Sequence, residues 1–201
     1  EVVRLRAAEL DPARPGLAQT FATGMPGANG VEMDRQGRLY VSGGASGNLF
    51  RVGPNGGAAE TVATLERFTR TLPDGRTQQS IVANGLAIDR AGVVHVADTA
   101  RGAVWRIAFD SDGRSQRPVL WAQNAALEGA DGLAFDARGH LWVAVNELNA
   151  LVRISPAGGL TEVARNGAAG PLEFPAALAF VGDNAYIANF DTPRRVNLDP
   201  G

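Results

Sequence analysis

The sequence predicts an all-β chain, a β-propeller built from four-stranded antiparallel blades. Two observations predict it. A tight hairpin signature occurs four times along the chain, and an apolar-Arg-apolar strand also occurs four times. The clearest hairpin runs from Ala83 to Thr99. An apolar strand, Leu86 to Ile88, enters Asp89-Arg90-Ala91-Gly92, and Val93 to Val96 returns toward Asp98-Thr99. An aspartate three residues before a glycine suits a short hairpin loop. Asp bonds its own backbone, and Gly takes the positive φ that a Cβ resists.

The other copies repeat this grammar. Asn29-Gly30 leads through Asp34-Arg35-Gln36-Gly37 to Leu39-Tyr40-Val41-Ser42. Asp131-Gly132 leads through Asp136-Ala137-Arg138-Gly139 to Leu141-Trp142-Val143-Ala144. A worn fourth copy is Ala177 to Phe180, then Val181-Gly182-Asp183-Asn184, then Tyr186 to Asn189. The turn aspartates recur about every 50 residues, and a period of that length made only of short strands marks propeller blades.

Bulk composition narrows the function classes. A chain of 201 residues, 45% hydrophobic, can bury a substantial core. The repeats run nearly end to end, so one propeller domain over 1–201, complete or partial, is expected. Net charge is −2, which suggests no polyanion and hence no nucleic-acid partner. All 19 basic residues are arginine, which reads as compositional bias rather than function. The absence of cysteine excludes disulfides and thiolate metal sites. No apolar run approaches the roughly 20 residues of a membrane span. The chain starts at Glu1 without a signal-like segment. It is expected to be either processed, and then secreted or periplasmic, or a piece of something longer. Compartment and oligomeric state stay open.

Each blade is expected to hold strands A to D. A and B form the hairpin. C carries the apolar-Arg-apolar pattern, as in Leu49-Phe50-Arg51-Val52, Val104-Trp105-Arg106-Ile107 and Leu151-Val152-Arg153-Ile154. D is shorter and more polar, as an edge strand should be. Blade one spans about 30–65, blade two runs from Ile81 to Ala122, and blade three from Asp131 to Arg165. The last copy has A and B only and stops after Asp191 to Arg195. The N-terminus supplies C (Val2 to Leu5) and D (Leu17 to Ala22). Taken literally, a ring of four blades closes with one blade built from both ends. The alternative is a partial six-bladed ring. Glu66 to Ser80 is an insertion with Arg67, Phe68, Arg70, a Pro73-Asp74-Gly75 turn and Arg76. A loop of this length in a compact fold is usually functional or disordered.

Strand direction sorts residues by face. A crosses the ring and B returns, so A starts, B ends and D-to-A loops share one face. That face collects Asn29, Asn84 and Asp131, with Ser42-Gly43-Gly44, Asp98-Thr99, Asn146-Glu147 and Asn189 to Asp191. The insertion hangs over it. Because A is innermost, Asn29, Asn84 and Asp131 are expected at the central channel. Asn-Gly and Asp-Gly are also common turn dipeptides, so a turn-only role stays open for each. Asp34, Asp89 and Asp136 read as structural turn residues. Arg4, Arg51, Arg106 and Arg153 read as blade-to-blade packing and ion pairs, His95 and His140 as satisfied structural residues, and Trp105, Trp121 and Trp142 as inter-blade core.

Asn29-Gly30, Asn84-Gly85-Leu86-Ala87, Asp131-Gly132-Leu133-Ala134 and Pro175 to Phe180 stand in order at blade spacing. With these motifs the chain resembles the gluconolactonase/regucalcin (senescence marker protein) family. The resemblance implies a six-bladed ring with a divalent cation, often calcium, in its channel, and hydrolysis of sugar or other lactones. Carried over by position, it implies Asn84 and Asp131 as metal ligands, Asp131 also as general base, and Asn29 as a substrate- or metal-adjacent asparagine. The family's metal-binding Glu belongs to an earlier blade. Glu32, Glu128 and Glu173 do not match its position.

Amide and carboxylate oxygens are hard ligands, which suits Ca²⁺ or Mg²⁺ better than Zn²⁺. Ca²⁺ is the expected ion, with Mg²⁺, Mn²⁺ or Zn²⁺ as alternatives. A single carboxylate in the set predicts weak binding. Arg67, Arg70 and Arg76 are candidates for binding a polyhydroxy or carboxylate small-molecule substrate. The expected function is a divalent-metal-dependent lactone hydrolase. The rival is a non-catalytic propeller that binds a small ligand or protein partner on the same face.

Overall fold

The computed structural model describes residues 1–5, 18–71, 74–167 and 170–190. The chain opens with β1 (Val2–Arg4) and β2 (Gln19–Thr23). Next come β3 (Val31–Met33), β4 (Leu39–Ser42), β5 (Asn48–Val52), β6 (Gly57–Ala58) and β7 (Glu60–Thr64). β8 (Phe68–Thr71) and β9 (Thr77–Ser80) follow. Then come β10 (Ala83–Ile88), β11 (Val94–Asp98), β12 (Ala103–Ile107) and β13 (Val119–Gln123). The last strands are β14 (Ala130–Phe135), β15 (Leu141–Val145), β16 (Ala150–Ile154), β17 (Leu160–Arg165), β18 (Pro175–Val181) and β19 (Asn184–Asn189).

The blades are as the repeats predict. β3-β4-β5-β7, β10-β11-β12-β13 and β14-β15-β16-β17 each form a four-stranded antiparallel sheet. The insertion folds as its own hairpin, β8 with β9. Its predicted turn includes Pro73, which lies outside the described residues, as do Leu17 and residues 191–195. No described helix is long and apolar enough to cross a membrane.

The turns follow from local chemistry. Asp34 Oδ1 accepts from the N–H groups of Gln36 and Arg38, both at 2.9 Å. Asp89 Oδ1 does the same for Ala91 and Val93, and Asp136 Oδ1 for Arg138 and His140. A further loop of the same kind, missed in the sequence, joins β12 to β13 around Asp110.

Each blade packs on the next through a separate apolar layer. Tyr40, Leu49 and Leu65 meet Val96, Trp105 and Ile107 between blades one and two. Ala97, Val104 and Ala122 meet Leu141, Val143 and Val152 between blades two and three. Ala144 and Leu151 meet Leu178 and Ile187 at the last hairpin. β4 and β11 are buried along their whole length, because a neighbouring sheet lies against each of their faces. Their sequences are therefore apolar runs rather than alternating ones. Of the recurring arginines, Arg51 reaches a neighbouring blade, whereas Arg106 packs within its own. Arg51 pairs with Glu60 at 2.7 Å and donates to the Gly113 carbonyl of blade two, and Arg106 lies over Trp121.

The four-blade closure does not form. β1 pairs with β2, and β2 pairs in parallel with β6, Ala22 opposite Gly57. β18 pairs only with β19, and no sheet joins these two strands to β1 and β2 among the described residues. The N-terminal strands spend their apolar side on blade one, where Ala22, Val2 and Phe21 meet Leu39, Val41 and Phe50. Val31 and Met33 on β3, and Val181 and Tyr186 on the last hairpin, are exposed.

Candidate active site

The polar dipeptides at the A starts are not loop turns. In β10, Ala83 pairs with Asp98 and Leu86 with Val96, so Asn84-Gly85 carry one extra residue. β14 repeats this at Asp131-Gly132, where Ala130 pairs with Val145 and Leu133 with Val143. β18 repeats it at Ala176, between Pro175 opposite Asn189 and Ala177 opposite Ala188. A bulge of this kind re-aims the side chains it carries. The turn-only alternative at positions 84 and 131 is thereby corrected.

The glycines have a steric reason. A Cβ on Gly85 would overlap the carbonyl of Asp131, and one on Gly132 would lie 2.6 Å from the carbonyl oxygen of Ala176. Inner strands of neighbouring blades approach so closely that no side chain fits between them.

The bulged side chains line one cavity of about 620 Å³, with Asn29, Asn84, Thr99, Asp131, Asn146 and Glu147 on its walls. Asn29 Nδ2 donates to Asn84 Oδ1 at 2.8 Å. Asn84 Nδ2 donates to Thr99 Oγ1 at 3.0 Å, and that hydroxyl donates to the Ala130 carbonyl at 2.6 Å. Asn146 Nδ2 donates to Asp131 Oδ2 at 3.1 Å. Burial pushes the Asp131 carboxyl up to about 6, against the opposing effect of the Asn146 hydrogen bond. Asn146 is buried, and its Oδ1 has no hydrogen-bond partner. An orphaned buried oxygen beside a desolvated carboxylate is a local deficit of positive charge or donors. The donor set therefore fits a hard cation such as Ca²⁺. Among the described residues no three His, Cys, Asp or Glu side chains cluster as a metal site, so most donors would be amides and hydroxyls.

A second cavity of about 860 Å³ adjoins the first and shares Thr99 and Glu147 with it. Of the three candidate arginines, Arg70 lines this cavity. Arg67 instead donates to the Ala45 carbonyl at 2.7 Å, pinning the hairpin base to blade one. Arg76 pairs with Asp74 at 2.7 Å and is exposed. Neither borders either cavity. Sequence reasoning missed Arg101, which lines the second cavity between the rings of Phe68 and Trp105. Thr99, Asn146 and Glu147 were placed on the correct face but not among the candidates. Their signal is a polar residue directly after a buried B strand.

These features define a β-propeller whose axial cavity is walled by amide, hydroxyl and carboxylate oxygens. Residues 27–188 match the SMP-30/gluconolactonase/LRE-like region, so the chain belongs to that family. It is 32% identical over 108 residues to a 6-deoxy-6-sulfogluconolactonase of Pseudomonas putida, a match covering 52% of this chain and 35% of that one. Its fold is similar to that of regucalcin, a calcium-binding protein of Agrobacterium tumefaciens. That match has a TM-score of 0.56 and 19% identity, over 83% of this chain and 55% of that one. A luciferin-regenerating enzyme matches with a TM-score of 0.54 and 20% identity, over 80% and 52%. The chain thus spans about half the length of these solved structures and a third of the curated relative.

Proposed function

We propose that this chain carries the site of a divalent-cation-dependent lactone hydrolase acting on a sugar-type or related small lactone. The observation that carries the reading is half-buried Asp131, which accepts from Asn146 Nδ2 while Asn146 Oδ1 has no partner, on a cavity shared with Asn84. Asn84 and Asp131 would hold the cation with Asn146 beside them. Once bound, it supplies positive charge for the oxyanion that develops at the lactone carbonyl.

The chain's own residues do the rest. Asp131 orients a water molecule and takes one of its protons as the water oxygen bonds to the carbonyl carbon. The ring C–O bond then breaks, and the ring oxygen leaves as the hydroxyl of the hydroxy acid after gaining a proton. Asn29, held by Asn84, contacts substrate hydroxyls at the mouth. Arg70 and Arg101 receive the distal or anionic end of the substrate in the adjoining cavity. The sulfogluconolactonase relative supports a lactone with an anionic tail.

The scarcity of carboxylates favours the rival, a propeller that binds a ligand on this face without turning it over. Calorimetry with Ca²⁺ on wild type and Asp131→Ala tests the site. Heats lost in the variant support it, and equal heats remove it. A pH-stat panel of lactones then separates enzyme from binding module.

A further inference from the structure

Blades two and three enclose a further concavity, on the face opposite the axial site and beside the Asp89 and Asp136 turns. Its volume is about 410 Å³, within the range of small-molecule sites, roughly 300–1,000 Å³. His95 lines it and is only 2% exposed. The His95 ring meets Trp121 and Phe135 edge-on, at centroid distances of 5.1 and 5.0 Å. Its Nδ1 lies 3.2 Å from the Val93 carbonyl oxygen, so Nδ1 carries the proton and Nε2 is an acceptor. Nε2 has no hydrogen-bond partner among the described residues. Burial, the largest influence on the ring, lowers its pKa to about 4 and keeps it neutral.

The walls are cationic and flat. Arg90, Arg106 and Arg138 line the cleft. Arg106 lies 5.3 Å from the Trp121 ring centroid, and Arg90 donates to the Ala137 carbonyl. Arg138 makes no side-chain hydrogen bond to a described residue. Two carboxylates, Asp89 and Asp136, also border the cleft, and the Asp89 charge acts on the His95 ring. Asp89 Oδ1 accepts two turn N–H groups. Asp136 serves its own turn, His140 Nδ1 and Trp142 Nε1.

We infer that this cleft is a second binding site, for a hydroxylated aromatic carboxylate. The carboxylate meets Arg106 and Arg138, the ring lies along Trp121 and Phe135, and the hydroxyl donates to His95 Nε2. Each part of the ligand answers one wall, and no part needs a metal.

Calorimetry with 4-hydroxybenzoate on the full chain tests it, with benzoate and 4-hydroxybenzamide as controls. Saturable one-site binding of 4-hydroxybenzoate is expected, about tenfold tighter than either control, since each lacks one anchoring group. His95→Phe keeps the aromatic packing, and should weaken 4-hydroxybenzoate to the level of benzoate while leaving benzoate unchanged. Asp131→Asn should bind all three as wild type does. The inference is overturned by no saturable heat in wild type, by equal affinities for the three compounds, or by loss of binding in Asp131→Asn, which would put the ligand in the axial cavity. The wild-type series decides the question even where His95→Phe does not fold. None of these outcomes depends on lactone turnover.

Discussion

Asp131 and Asp136 stand near opposite ends of one inner strand, and the same side chain meets two fates there. Asp136 lies at the outer turn. Burial opposes its charge most strongly, but donors from Trp142, His140 and Arg138 together outweigh burial and hold its carboxyl down to about 2. Asp131 lies in the bulge at the channel. Burial dominates, Asn146 is its one opposing donor, and its carboxyl is pushed up to about 6. One aspartate is stabilised by its surroundings as an anion, the other is held short of partners. A structural site satisfies its charge, and a candidate reactive site leaves charge to be satisfied by a ligand.

The comparison can be broken first at the channel. On the proposed function, Asp131→Ala is expected to lower lactone hydrolysis by at least about 100-fold, the usual scale of a lost general base, as read by pH-stat. Its cooperative unfolding should survive, because the side chain supports no turn. Asp136→Ala should do the reverse. It orphans two turn N–H groups, Trp142 Nε1 and His140, at a cost of about 2–3 kcal/mol by urea unfolding. Failure of either contrast would merge the two roles.

The pH dependence sharpens the contrast. The folded pKa of Asp136 lies below its unfolded value near 3.8, so its stabilisation is present above about pH 4 and is lost as pH falls toward 2. The folded pKa of Asp131 lies above the same unfolded value. The native state binds that proton more tightly, so stability in metal-free buffer falls as pH rises from about 4 to 6. Asp131→Asn should flatten that fall and raise stability at pH 7 by about 1–2 kcal/mol, after allowance for partial solvent screening. Unfolding at pH 4 and pH 7 measures it. The smallest expected effect is Trp142→Phe, which removes one donor to Asp136. It should cost about 1 kcal/mol and raise the Asp136 pKa in a carboxyl NMR titration.

The difference between the two aspartates also explains what was legible in the chain. The donors that define Asp136 lie within six residues of it, so an Asp-x-x-Gly pattern is enough to assign its role. Asp131 looked equally like half of a turn dipeptide. Its meaning depends on the bulge against β15, on Asn146 from the end of that strand, and on a neighbouring inner strand that excludes any side chain at Gly132. Arg67 and Arg70 show the same limit. They are three residues apart on one insertion, yet one is tied to blade one and the other borders a cavity.

The amino-acid sequence by itself determined the blade strands, the hairpins that join them, the blade period and the face on which the polar residues at the strand ends fall. Those follow from side-chain alternation and turn chemistry, which act over a few residues. Only the tertiary structure decided which polar atoms share a cavity, how far Asp131 is desolvated, and that β1 and β2 cover blade one instead of completing the sheet of β18 and β19. Desolvation and cavity walls are made by residues distant in the chain, and the energy of a charge depends on all of them together.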